Sequence, residues 1–311
     1  MERTKREIKL FMAKNLSRII LLQIKTLRPK QWIKNFFLFA GVIFSQNIFN
    51  LQLFLKTFFA FVLFCLISSS IYILNDIVDK NKDKAHEEKK SRPIASGELK
   101  IIHALLVFFP FVLFSIFFSF YLNTGFGVLV VLYFLLGVIY SLYLKNLVII
   151  DSLSIAGFFL LRVIAGAVVV NVAMSSWFLL CATFLSLFIA FHKRRNEIVL
   201  LNNEASAHRK VLDKYSLGFL DQMIAVVTAL TIMSYSLYTM SPETVEKFGT
   251  TNLIFTIPFV LYGLFRYLYL VHQEKKGGSP TDLVVGDCGL FVNIVLWVVL
   301  VFIILYVRRQ L

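Results

Sequence analysis

Long apolar runs separated by short polar stretches dominate the chain. Near-continuous hydrophobic sequence occupies residues at about 53 to 74, 101 to 121, 125 to 144, 148 to 170, 174 to 191, 217 to 239, 252 to 271 and 288 to 307. Another run, at about 33 to 49, is cut short by Gln46 and Asn47. These lengths approach or reach the roughly 20 residues that a membrane-crossing helix needs. The runs are continuous rather than alternating, which selects helices over a closed barrel. The pattern therefore predicts an all-α integral membrane fold, with nine transmembrane helices in one domain over residues 28–311. Residues 1–27 form a basic, partly amphipathic segment expected to lie on the membrane surface. No cleavable signal is expected, because the first apolar stretch is followed by Arg28, Pro29 and Lys30 rather than by small residues.

Composition supports this pattern. Hydrophobic residues make up 58% of the 311, 33 of them Phe, and the mean hydropathy is +0.77, beyond an ordinary globular domain. Charge then fixes an orientation. Ten Lys and Arg precede or open the first predicted span, the last of them Lys34, and further clusters fall at 80–100 and 193–214. The turns near Asn123 and Asn171 have none, and residues 240–251 contain only Lys247. By the positive-inside rule the N-terminus and the charged loops are cytoplasmic, and the C-terminus lies outside. A net charge of +14 without a nucleic-acid motif points to anionic lipid and phosphorylated substrates, not to nucleic acid. Cys65, Cys181 and Cys288 sit in or beside different apolar runs and read as packing residues, and the five scattered histidines give no zinc or haem pattern.

Four polar clusters fall on the cytoplasmic side. The stretch Asn75 to Leu99 places Asp76, Asp79 and Asp83 three and four residues apart, on one face of a continuing helix. Three like charges at that spacing make sense around a divalent cation. Magnesium is the natural choice, because it takes oxygen ligands from one or two carboxylates together with substrate phosphates. Lys89, Lys90 and Arg92 follow as phosphate partners. A second cluster, Arg28 to Asn35, is basic and aromatic and includes Trp32 and Lys34. A third runs from Tyr140 through Lys145 and Asp151 to Arg162. Arg162 lies inside a span, where a charge costs about 2.5 to 3.5 kcal/mol on insertion scales, so it calls for an anionic partner. Eleven residues separate it from Asp151, too far for direct pairing along one helix. The fourth cluster, His192 to Glu197, contains Lys193 and Arg194, and places Lys193 and Glu197 on one face if the helix continues.

In these clusters the chain resembles the UbiA prenyltransferase superfamily, whose first motif is an Asn-Asp-x-x-Asp-x-x-x-Asp run matched by Asn75, Asp76, Asp79 and Asp83. It is most similar to the branch that transfers phosphoribosyl to decaprenyl or related polyprenyl phosphates. That likeness rests on RPKQWIKN at 28–35, NDIVD and RPIASG between 75 and 97, YSLYLK and RVIAGA between 140 and 167, and KRRNE at 193–197. The second Asp-x-x-x-Asp motif of the aromatic prenyltransferases is missing: Asp213 and Asp221 are eight apart, and Asp282 and Asp287 five.

The resemblance implies a UbiA-type bundle with a cytoplasm-facing active-site cavity, in the plasma membrane. It implies magnesium-dependent transfer of 5-phosphoribosyl from phosphoribosyl diphosphate to a polyprenyl phosphate, in cell-wall or glycolipid precursor synthesis. The implied metal ligands are Asp76, Asp79 and Asp83, with Asn75 orienting the sugar or those ligands. The implied phosphate ligands are Lys34, Arg92, Lys145, Arg162, Lys193 and Arg194, and Tyr140, Asp151 and Glu197 are further polar site residues. Two other readings stay open: a prenyltransferase using a prenyl diphosphate donor, and a lipid-binding or transport protein without chemistry. A homo-oligomer is compatible with all three.

Overall fold

The computed structural model describes residues 17–85, 89–201, 212–274, 283–284 and 286–307, and among them there is no strand. Eight helical segments are long and apolar enough to cross a membrane. They are α1 (Leu51–Val78), α2 (Ile101–Leu122), α3 (Thr124–Leu142), α4 (Ile150–Val169), α5 (Ser176–Leu201), α6 (Leu217–Met240), α7 (Ile257–His272, entered through a 3-10 turn at Asn252–Thr256) and α8 (Cys288–Phe302). Polar caps set several starts: the side chains of Asn50, Asn123, Ser216 and Asp287 accept from the backbone N–H three residues on in α1, α3, α6 and α8. The chain is thus an all-α, multi-pass membrane protein.

The ninth expected span takes another form. Residues Pro29–Phe39 form a 3-10 helix that passes into a short α-helix, Ala40–Phe44. The larger rise of the 3-10 form gives the two together an extent of about 30 Å, the thickness of a hydrocarbon core. Polar bonds fix this unusual segment. Trp32 Nε1 donates to Ser69 Oγ at 3.0 Å, Ser69 Oγ donates to the Leu27 carbonyl, and Asn35 Nδ2 donates to Ser68 Oγ and Cys65 Sγ. Its end lies backbone to backbone on α4, where a Cβ added at Gly166 would sit 2.0 Å from the Leu38 carbonyl oxygen.

The described residues group into two compact units. One contains those up to Val42 with Asn50–Lys145 and Leu161–Asn171, and the other Ile43–Phe49, Asn146–Leu160 and Val172 onward. In the first unit, a helix over residues 17–27 places Ile19, Leu22 and Leu27 against Ile73, Ile94 and Leu99. Part of the expected surface segment is therefore packed on the protein, and residues 1–16 lie outside the described residues. The core of the second unit joins Phe188 and Phe191 of α5 to Leu220 and Ile224 of α6 and to Tyr267 and Leu270 of α7. Outward faces such as Leu113 and Phe117 of α2 or Val298 and Val299 of α8 are exposed and apolar, as lipid-facing surface should be.

Candidate active site

The aspartate comb lies where α1 ends. The helix stops at Val78, Asp79 forms a turn, and a separate short helix, Lys80–Lys84, carries Asp83. The expected continuous helix is broken there, yet two i to i−4 bonds, Asp79 N to Asn75 O and Asp83 N to Asp79 O, keep the three carboxylates close to helical spacing. Asp76 and Asp83 are buried. Their charges are met by arginine: Arg28 and Arg92 both bond Asp76 Oδ1, and Arg92 Nη1 also lies 2.6 Å from Asp83 Oδ2. Lys145, itself only 5% exposed, lies 2.6 Å from Asp79 Oδ2 and 3.2 Å from Asn75 Oδ1. The structure thus gathers five of the predicted site residues, Asn75, Asp76, Asp79, Asp83 and Arg92, with Lys145 as a sixth. It adds Arg28, which the sequence placed in a neighbouring motif but not among the site residues.

Local backbone explains how the cations arrive. Arg28 lies between two helices with φ 54°, a left-handed conformation unusual for a side-chain-bearing residue, and its guanidinium lies over the Tyr72 ring. Arg92 is extended and caps the Pro93–Ser96 turn, and Gly97 at φ 83° closes that turn. Lys145 sits in the 3-10 turn after α3. Lys34 and Tyr140 are half-buried in the same unit.

Arg162 also belongs to this unit. Its Nε donates to Asn35 Oδ1 at 2.7 Å, Nη2 donates to the Tyr133 hydroxyl, and the guanidinium covers the Tyr133 ring. Two of its partners, Asn35 and Tyr133, are neutral groups. They join the 3-10 helix, α3 and α4 at one buried point. Asn35 and Tyr133 lie 127 and 29 residues from Arg162, so periodicity could not have identified them.

The fourth cluster falls in the other unit. Helix α5 continues through it to Leu201, as the shared face of Lys193 and Glu197 requires. Lys193 is exposed, while Arg194 is 1% exposed, with Nε 2.6 Å from Asp151 Oδ2 and Nη1 2.5 Å from Glu197 Oε2. Asp151, fully buried, also accepts from the Tyr215 hydroxyl at 2.7 Å. Burial, and then this bond to the carboxylate, push the Tyr215 hydroxyl up to about 12. Ile149, at φ 67°, donates its N–H to the Tyr215 hydroxyl. The later aspartates are occupied otherwise. Asp221 pairs with Arg195 and His272, and Asp287 caps α8 while pairing with Arg266. The Asp213 side chain and Asp282 lie outside the described residues.

Among the described residues no three His, Cys, Asp or Glu side chains converge on one point. However, Asp79 Oδ1 is buried without a hydrogen-bond partner among those residues, while Oδ2 of the same carboxylate meets Lys145. One or two carboxylates suffice for magnesium when phosphates complete its shell, so the donor set fits.

With this geometry described, comparison with known proteins gives the lineage. The chain is 33% identical over 290 residues to a decaprenyl-phosphate phosphoribosyltransferase of Corynebacterium glutamicum, covering 91% of this chain and 86% of that protein. It is 29% identical to the enzyme of that name from Mycolicibacterium smegmatis, covering 88% and 89%. Its fold matches a solved UbiA homolog from Archaeoglobus fulgidus bound to GPP and Mg2+ with a TM-score of 0.68 at 19% identity, covering 91% of this chain and 99% of that one. The profile of the UbiA prenyltransferase family matches residues 35–281, a span that contains every aspartate, lysine and arginine of the four clusters above except Arg28, Lys30 and Lys34. The chain belongs to the UbiA prenyltransferase family.

Proposed function

We propose that this protein is a transferase that moves a 5-phosphoribosyl group from phosphoribosyl diphosphate to a polyprenyl phosphate, releasing diphosphate. The observation that carries the reading is the set of carboxylates Asp76, Asp79 and Asp83, the first and last of them buried, facing Arg28, Arg92 and Lys145, with one oxygen of Asp79 unpartnered among the described residues. Such a set offers oxygens to a divalent ion and cations to phosphates. The names of the nearly full-length relatives support phosphoribosyl as the transferred group. The loops that bear the clusters are the Lys and Arg-rich ones, so the site opens to the cytoplasmic side of a plasma membrane, and the 3-10 segment counts as the ninth crossing.

In this mechanism the acceptor phosphate is already ionised near neutral pH, so no general base is needed. One of its oxygens forms the bond to ribose C1 as the bond from C1 to the diphosphate oxygen breaks. The electron pair leaves with the diphosphate, and C1 inverts. The protein's part is positioning and charge stabilisation. Arg92 and Lys145 hold donor phosphates, with Lys34 as a further phosphate ligand, and Asn75 orients the sugar. The carboxylates of Asp76, Asp79 and Asp83 would hold magnesium and face the positive charge that grows on the ribose ring. The chemistry such an ion supplies is neutralisation of the departing diphosphate.

A second reading has one observation in its favour: the fold is also that of a homolog solved with a prenyl diphosphate. Both are tested with purified protein in detergent and two labelled donors side by side. Phosphoribosyl diphosphate with a polyprenyl phosphate should give a labelled lipid that vanishes with EDTA and returns with magnesium. Transfer only from geranyl diphosphate to an aromatic acceptor would establish the second reading instead.

A further inference from the structure

We propose that Arg28 and Arg92 are exchangeable counter-cations. They compete with a divalent ion for the aspartate oxygens, and they pass to the donor's diphosphate when metal and donor bind together. The inference rests on the reading of this cluster as the donor site.

Three carboxylates here meet three cations: both arginines on Asp76, Arg92 also on Asp83, and Lys145 on Asp79. The paired groups sum to zero charge. A divalent ion arriving alone would bring two positive charges beside three others, and would have to displace guanidiniums to reach Asp76 Oδ1 or Asp83 Oδ2. A phosphorylated donor arriving alone would meet cations already engaged. Together the two resolve both conflicts, because the carboxylates turn to the metal while the arginines turn to phosphate oxygens, which the planar guanidinium fork matches well.

The two kinds of group are held differently. Asp76 is buried at the end of a 28-residue helix, whereas Arg28 and Arg92 project from non-helical backbone and keep about a quarter of their side chains exposed, at 25% and 24%. The carboxylates are the fixed partners and the arginines the adjustable ones. Lys145, at 7% side-chain exposure, is held more tightly: it keeps its contacts to Asp79 and Asn75 while its remaining N–H groups meet the donor phosphates. Metal and diphosphate should then each strengthen the other's binding by the same factor.

The test uses the full chain in detergent, with Mn2+ as the probe, read by loss of its free-ion electron paramagnetic resonance signal. A parallel measurement takes KM for phosphoribosyl diphosphate at saturating magnesium. Arg28→Gln should bind Mn2+ alone about tenfold more tightly and raise the donor KM about tenfold, the scale of one hydrogen bond to a charged group. The two shifts run in opposite directions, which general damage would not produce. Tighter Mn2+ with an unchanged KM would make Arg28 a static clasp, and a raised KM with unchanged Mn2+ binding would make it a plain phosphate ligand. Either result overturns the exchange. Arg92→Lys, which keeps the charge but cannot bridge Asp76 and Asp83, should show the same opposed shifts in smaller measure, and it decides the matter if Arg28→Gln does not fold. Failure of the donor-site reading itself looks different: wild-type Mn2+ binding would then be insensitive to Asp79→Asn.

Discussion

Arg194 gives the sharpest separation between a structural cation and a phosphate ligand. Its guanidinium is almost fully buried, 2.6 Å from Asp151 and 2.5 Å from Glu197. Replacing it with Met strands Asp151, which is itself fully buried and would keep the hydroxyl of Tyr215 at 2.7 Å and that of Ser152 at 3.4 Å on a single oxygen. Breaking a buried pair from one side costs about 3–5 kcal/mol, and the two remaining donors place this case at the lower end, about 3 kcal/mol. Asp151→Asn should cost less, because Glu197 still balances Arg194. In Asp151→Asn/Arg194→Met neither charge is stranded, so the loss should fall short of the sum of the single losses by about 2 kcal/mol. The assay is thermal unfolding in detergent at a fixed scan rate, followed by circular dichroism, with donor KM measured on each folded variant. Near-wild-type stability of Arg194→Met would refute the reasoning. So would additive losses accompanied by a raised KM that persists in the double variant, which would make Arg194 a phosphate ligand.

Other outcomes follow from the same contacts. Lys145→Met removes an ion pair of Asp79 and should lower kcat/KM for the donor by about a hundredfold, the scale of a buried charge-assisted contact, in steady-state transfer assays. Gly166→Ala forces a Cβ to 2.0 Å from the Leu38 carbonyl, so the 3-10 helix must shift, and the unfolding temperature should fall by an amount corresponding to about 1–3 kcal/mol or more. Tyr215 titrates higher folded than unfolded, so above pH of about 10 the unfolded chain loses that proton first. Its contribution to stability should be complete below about 10 and decline toward about 12, a decline absent in Tyr215→Phe when unfolding is followed against pH.

The helices were legible because lipid demands continuous apolar sequence. The runs read at 101 to 121 and 217 to 239 appear as Ile101–Leu122 and Leu217–Met240, bounded by polar residues that cap or stop them. The 3-10 segment was not legible. A run with Phe36, Phe37 and Phe39 carries no sign of its winding, which depends on Ser68 and Ser69 of α1 and on Gly166 of α4. At the site, spacing brought out the aspartates, since three and four residues along a helix are neighbours even across the turn at Asp79. The partners were hidden by distance along the chain: Arg28 lies 48 residues from Asp76, Lys145 lies 66 from Asp79, and Tyr215 lies 64 from Asp151. The signal that existed for Arg28 was its place in a basic run ahead of Trp32. Arg162 was marked as a buried cation in need of partners, and two of those partners, Asn35 and Tyr133, lie too far along the chain for spacing to identify.

The most direct test of the central claim compares two aspartates in the phosphoribosyl transfer assay. Asp79→Ala removes the carboxylate with the unpartnered oxygen, and Asp221→Asn alters a carboxylate that pairs with Arg195 and His272 in the second unit. The account predicts that Asp79→Ala loses labelled lipid product by at least about a hundredfold while remaining folded. Asp221→Asn should stay within a few-fold of wild type. Equal losses, or product formation that depends on Asp221 and not on Asp79, would contradict it.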